Sequence, residues 1–114
     1  MRQPTLFESK KGSSTADAER LVLYALGEFQ ARGKALVERD LPLDRLRGAL
    51  RRAAEAFGVE ELEDEPATST LAALGAQVRR VPTFVAKHPF RVTVPAALAE
   101  RARAFYEEST KQPE

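Results

Sequence analysis

The sequence predicts an α+β fold, four helices with a small three-stranded antiparallel sheet, and three observations lead to it. Phe90, Val92 and Val94 alternate with Arg91 and Thr93, and ahead of the Lys87-His88-Pro89 corner Phe84 and Ala86 alternate with Thr83, Val85 and Lys87. The stretch Val81 to Val94 therefore has the period of two of a β-hairpin. Four other stretches carry apolar residues at spacings of three and four, the signature of helices packed on one side. A two-stranded hairpin is marginal by itself in water, so these helices are the layer that covers Phe84, Phe90, Val92 and Val94.

The first helix is expected from Ala16 to Arg32. Ser14 or Thr15 can cap it, Asp17 and Glu19 sit in its electropositive first turn, and Gly33 supplies the stop. Leu21, Val22, Ala25, Leu26 and Phe29 share its buried face. Lys34 to Glu38 is too short for a helix and is read as a strand, the third member of the sheet. The second helix runs from Leu43 to Phe57, with Pro42 at its entry and Gly58 at its exit. Leu43, Leu46, Leu50, Ala53 and Phe57 form its apolar seam, and its arginines are read as a solvated flank. Val59 to Pro66 is an acidic linker, and Thr68 to Arg80 is the third helix, capped by Thr68, Ser69 or Thr70 and ended by Pro82. Gly48 and Gly75 are read as helix-interior glycines at close helix contacts. After the hairpin, Pro95 opens a fourth helix with Leu98, Ala102 and Phe105 on one face.

One domain accommodates all of this. The chain has 114 residues, 43% of them apolar, with room for a single core. Residues 15 to 108 are assigned to it, with 1 to 14 as a flexible tail and 109 to 114 as a frayed end. There is no cysteine, so disulfides, thiolate metal sites and cysteine nucleophiles are excluded, and a cytoplasmic location is expected. No apolar run is long enough to span a bilayer or to act as a secretory signal. The leucine stripes of the second and third helices suit a homodimer as well as the core of a monomer.

Net charge is +1, but charge is unevenly spread. Residues 59 to 66 hold Glu60, Glu61, Glu63, Asp64 and Glu65 with no base, whereas residues 67 to 95 hold Arg79, Arg80, Lys87 and Arg91 with no acid. Such a basic block is where nucleic-acid contact would be sought. Catalysis has little to work with. His88 is the one histidine and sits at a turn without a partner base. The carboxylates lack the alternation and the glycine of a calcium loop. No catalytic residue, metal or cofactor is assigned, and the chain is read as non-enzymatic.

Two resemblances bear on function. The order helix, short strand, helix, helix, two-stranded hairpin, helix resembles that of winged-helix DNA-binding domains over residues 15 to 107. That resemblance implies a third helix in the major groove and the hairpin as a wing. Thr68, Ser69, Thr70, Gln77, Arg79 and Arg80 would then face DNA, together with Lys87, His88 and Arg91 on the wing. In the tail, Gln3-Pro4-Thr5-Leu6-Phe7 resembles the bacterial sliding-clamp-binding pentapeptide, commonly Q-L-[S/D]-L-F. Gln3, Leu6 and Phe7 match its anchors, and Pro4 replaces the usual leucine. The resemblance implies a glutamine amide at the rim of a cleft and two apolar side chains filling it.

Together these imply a non-enzymatic accessory protein of DNA replication or repair, held on the sliding clamp through Gln3, Leu6 and Phe7 and meeting DNA through Arg79, Arg80, Lys87 and Arg91. The alternative is a protein-interaction or regulatory domain without a nucleic-acid role.

Overall fold

The computed structural model describes residues 4–80 and 90–110, with side chains from Asp17 onward. Chain order is α1 (Pro4–Ala31), β1 (Asp40–Pro42), α2 (Leu43–Phe57), α3 (Asp64–Leu74), β2 (Gln77–Arg80), β3 (Phe90–Thr93) and α4 (Ala96–Thr110). This is the α+β class expected, with four helices and one antiparallel sheet in the order β1-β3-β2. α1 is the central helix and packs against α2, α3 and α4. Its bounds take in residues 4 to 14, which were expected as a tail.

The core follows the apolar stripes. Leu21, Val22, Ala25, Leu26 and Phe29 of α1 meet Leu43, Leu46, Leu50 and Ala53 of α2, Leu71 of α3, Val92 and Val94 of the sheet side, and Leu98 and Ala102 of α4. α2 has the predicted bounds because both of its ends are written locally. Pro42 enters extended at φ −69° and ψ 144°, and Gly58 closes the helix in the left-handed region, with the Val59 N–H donating to the Ala54 carbonyl at 3.0 Å. Leu98, Ala102 and the partly buried Phe105 share a face of α4, as expected.

Three expected elements are placed differently. The strand expected at Lys34 to Glu38 lies instead at Asp40–Pro42, and of the earlier residues only Val37 makes a bridge, parallel, to Val94. The chain turns between them: Glu38 has φ 58°, a left-handed conformation that a straight strand cannot contain. Asp40, Leu41 and Pro42, the last of them expected only as the entry to the second helix, are thus the strand itself.

The third helix begins four residues earlier than Thr68, at Asp64, and ends at Leu74. Acidic side chains and proline are both favoured or tolerated in a first helical turn, so Asp64, Glu65 and Pro66 are helix and not linker. Its end is set by Gly75, at φ 116°, where the Ala76 N–H returns to the Leu71 carbonyl at 2.9 Å. Gly75 is a helix terminator and not a packing glycine.

Terminated there, the chain enters β2. Gln77 to Arg80, expected as the last turn of a helix, pair with β3 in the register Gln77↔Thr93, Val78↔Val92, Arg79↔Arg91 and Arg80↔Phe90. The partner of Phe90–Thr93 is therefore this strand, and the one expected at Thr83 to Lys87 lies outside the described residues. Val78 and Val92 face the helices, as the period of two requires.

The arginine flank of α2 is not simply solvated. Arg52 donates through Nε to both oxygens of the buried Glu28, at 3.0 and 2.8 Å, which joins α2 to α1. This bond is the main cause of a raised Arg52 pKa. Arg47 donates to Glu61 at 3.1 Å, to the Leu62 carbonyl at 2.7 Å and to Asp64. It ties the connection after α2 to the first turn of α3.

Tyr24 sits edge-on to Phe57 and to Tyr106, with ring centroids 5.4 and 5.0 Å away. Burial, followed by Tyr106 and Glu28, pushes its phenol pKa above the ordinary value. The fold therefore holds this proton more tightly than the unfolded chain does. Above about pH 10 the unfolded state releases it first, binds fewer protons than the native state, and stability falls as pH rises. Tyr24→Phe is expected to lose less of its Tm than the wild type between about pH 9 and 11. Equal losses in both proteins would show that Tyr24 has no part in the alkaline transition.

Candidate nucleic-acid interface

The outer face of the sheet carries the candidate site. In antiparallel strands alternate side chains point the same way. Val78 and Val92 face the helices, so Gln77 and Arg79 of β2, Arg91 and Thr93 of β3 and Asp40 of β1 share the opposite face. Arg79 and Arg91 are direct cross-strand neighbours. Two like charges in that relation repel.

Asp40 lies between them and resolves the conflict. Its Oδ2 accepts from Arg79 Nη2 at 2.9 Å and from Arg91 Nε at 3.2 Å, and its backbone carbonyl accepts from Arg91 Nη2 at 3.2 Å. Arg79 keeps 60% of its side-chain surface in water, Arg91 33% and Asp40 43%. The group is accessible from solvent, so its ion pairs are screened by salt and weaker than buried ones. Arg80 belongs to the other face by alternation, and its guanidinium lies over the Phe90 ring at 5.0 Å while staying exposed. Thus Arg79 and Arg91 meet on the outer face of the two-stranded ribbon, and Arg80 leaves the same ribbon from its other face.

No family model, curated protein or solved structure matches this chain.

The other expected contacts divide. Lys87 and His88 lie outside the described residues, as does Gln3. Leu6 and Phe7 fall within the bounds of α1, but their side chains also lie outside those described. Gln77 is exposed on the ribbon face. Thr68 and Thr70 do not cap, and both bond back into their own helix. Thr68 is buried and donates its hydroxyl to the Asp64 and Glu65 carbonyls at 3.0 Å, and Thr70 bonds back to the Pro66 carbonyl at 2.8 Å.

α3 itself offers no cation. Its exposed positions are Glu65, Pro66, Ser69, Ala72 and Ala73, with Asp64 and Glu65 in the first turn. A helix so charged repels phosphate, so the major-groove role implied for it does not fit its surface. The acidic segment ahead of it is partly engaged within the protein. Glu61 and Asp64 pair with Arg47, and Glu61 lies 3.8 Å from Arg51. These contacts take up basic groups of α2, whereas Arg79 and Arg80 of the ribbon are exposed.

Asp40 was missed in the sequence as part of this site. It is 39 residues from Arg79 and 51 from Arg91. Nothing in its local pattern marks it, since Asp before Leu-Pro reads equally well as a helix entry. Among the described residues every buried side-chain polar atom has a hydrogen-bond partner, and no group of three His, Cys, Asp or Glu side chains is placed to hold a metal ion. Among them, too, no helix is long and apolar enough to cross a membrane.

Proposed function

We propose that this chain is a non-enzymatic accessory module of DNA replication or repair, winged-helix-like in element order, that meets the DNA backbone through the β2–β3 ribbon. The observation that carries this reading is the pairing of Arg79 with Arg91 on adjacent strands, with Arg80 on the other face of the same ribbon, which follows α3 in the chain as a wing does. The connection from α2 to α3 also shortens to residues 58–63, because α3 starts at Asp64. That is closer to a helix-turn-helix connection than the long acidic linker expected. With α3 lacking cations, contact is to phosphates and carries little sequence preference.

Titration of a labelled 20-bp duplex with the whole chain over a salt series tests it. Three phosphate contacts predict that log K falls with log[salt] at a slope of about −3. No binding at about 20 mM salt would exclude the proposal and favour a protein-interaction module without nucleic-acid contact. The cation-free surface of α3 is the observation on that side.

Tethering to the sliding clamp through Gln3, Leu6 and Phe7 completes the proposal, supported by the pentapeptide resemblance alone. The whole chain is expected to bind a bacterial clamp with a Kd on the order of micromolar, and Leu6→Ala with Phe7→Ala to remove that binding. Equal binding by the double variant would dismiss the motif.

A further inference from the structure

We propose that Asp40 occupies a two-arginine oxyanion site on the ribbon, and that a backbone phosphodiester of nucleic acid displaces its carboxylate when it binds. The inference rests on the nucleic-acid reading above and assigns the anion site within it. Arg79 and Arg91 face each other across β2 and β3, a like-charge pair that needs an anion between its guanidinium groups. In the free protein that anion is the Asp40 carboxylate, bonded at 2.9 Å to Arg79 and 3.2 Å to Arg91. A phosphodiester presents two oxygens of the same charge and accepts the same donors, with geometry suited to guanidinium forks.

All three side chains are substantially exposed, so exchange needs no opening of the core. Arg91 keeps its bond to the Asp40 backbone carbonyl, which holds its fork beside β1 whichever anion is present. Asp40 would therefore act as a competitor that lowers affinity while keeping the arginines oriented. It also screens the ribbon against anions that cannot outcompete it. Asp40 is on this account a positioning residue, acting through the two arginines.

The test compares the whole wild-type chain with Asp40→Asn, Asp40→Glu and, as an equal-charge control on α4, Glu100→Gln, each titrated with a 20-bp duplex at about 50 mM salt and with inorganic phosphate as competitor. Losing the competing charge is expected to tighten DNA binding about tenfold in Asp40→Asn, the size of one charge-assisted contact. Asp40→Glu should return affinity toward wild type, and Glu100→Gln should leave it unchanged. In thermal unfolding, Asp40→Asn should lose Tm at low salt and regain more of it on DNA addition than the wild type does.

A merely structural aspartate predicts the opposite, equal or weaker binding by Asp40→Asn; that result would overturn the displacement and leave ribbon binding intact. An equal gain in Glu100→Gln would reduce the effect to net charge and likewise overturn it. Inorganic phosphate that competes at equal concentration in wild type and Asp40→Asn would also count against displacement. If neither wild type nor Asp40→Asn binds DNA at about 20 mM salt, both the inference and the nucleic-acid reading fail.

Discussion

The variant Arg79→Glu with Arg91→Glu is expected to lose more than about 100-fold in DNA affinity, the largest effect among these predictions. On the proposed reading each arginine would contribute one charge-assisted phosphate contact, on the order of 1.5–3 kcal/mol, and losing two would multiply to at least that factor. Reversal adds repulsion, since two new carboxylates beside Asp40 would turn the ribbon face from basic to acidic. The same crowding strains the sheet, so a milder pair is needed. Arg79→Gln and Arg91→Gln, each alone, should weaken binding about tenfold and flatten the salt slope by about 1, while circular dichroism stays unchanged. Unaltered DNA binding by the glutamate pair, with the fold intact, would remove the ribbon from consideration.

Gly27→Ala is expected to destabilise the fold by about 1–3 kcal/mol, against the intrinsic preference of a helix interior for alanine. A Cβ at Gly27 would lie 2.3 Å from the Tyr106 Cβ and 2.5 Å from the Ala102 carbonyl oxygen of α4. Neither is the free end of a flexible side chain. α1 and α4 would have to separate, disturbing Ala99 and Ala102 and the edge-to-face contact of Tyr24 with Tyr106. Gly48→Ala is the control with the opposite sign. The nearest atom to its Cβ is the Arg52 guanidinium at 3.4 Å, so the helix gains about 0.5–1 kcal/mol with little steric opposition. Thermal unfolding should separate the two by sign. A Gly27→Ala protein with a raised Tm would mean that the helices do not approach so closely.

That contrast also marks how far local pattern reaches. The helix stripes of Leu21 to Phe29 and of Leu43 to Phe57 point inward as their spacing requires, and the Pro42 and Gly58 signals bound α2 correctly. Gly48, Gly75 and Gly27 look alike in the sequence, as single glycines inside helical patterns. One is on a half-exposed helix face, one ends a helix at φ 116°, and one lies under a crossing helix. Which is which depends on the backbone angle and on a neighbour some 75 residues away, neither of which a window of residues contains.

The candidate site was half legible for the same reason. Arg79, Arg80 and Arg91 stand out as a basic block, yet the sequence reads Arg79 and Arg80 as helix, because three-four-three spacing runs through Leu71, Leu74, Val78 and Val81. Gly75 broke that period. Once the helix ends there, Val78 is inward by strand alternation, and the arginines flank it on a ribbon.

By itself, then, the amino-acid order determined the α+β class, the helix faces that form the core and the location of the basic block. All of these depend on contacts or periodicities within a few residues. Only the tertiary structure decided that Arg79 and Arg91 oppose each other, that Asp40 lies between them and that Arg47 and Arg52 are held by carboxylates. Strand register and ion pairs join residues tens of positions apart, and they are selected by the packing of the whole core and not by any local preference.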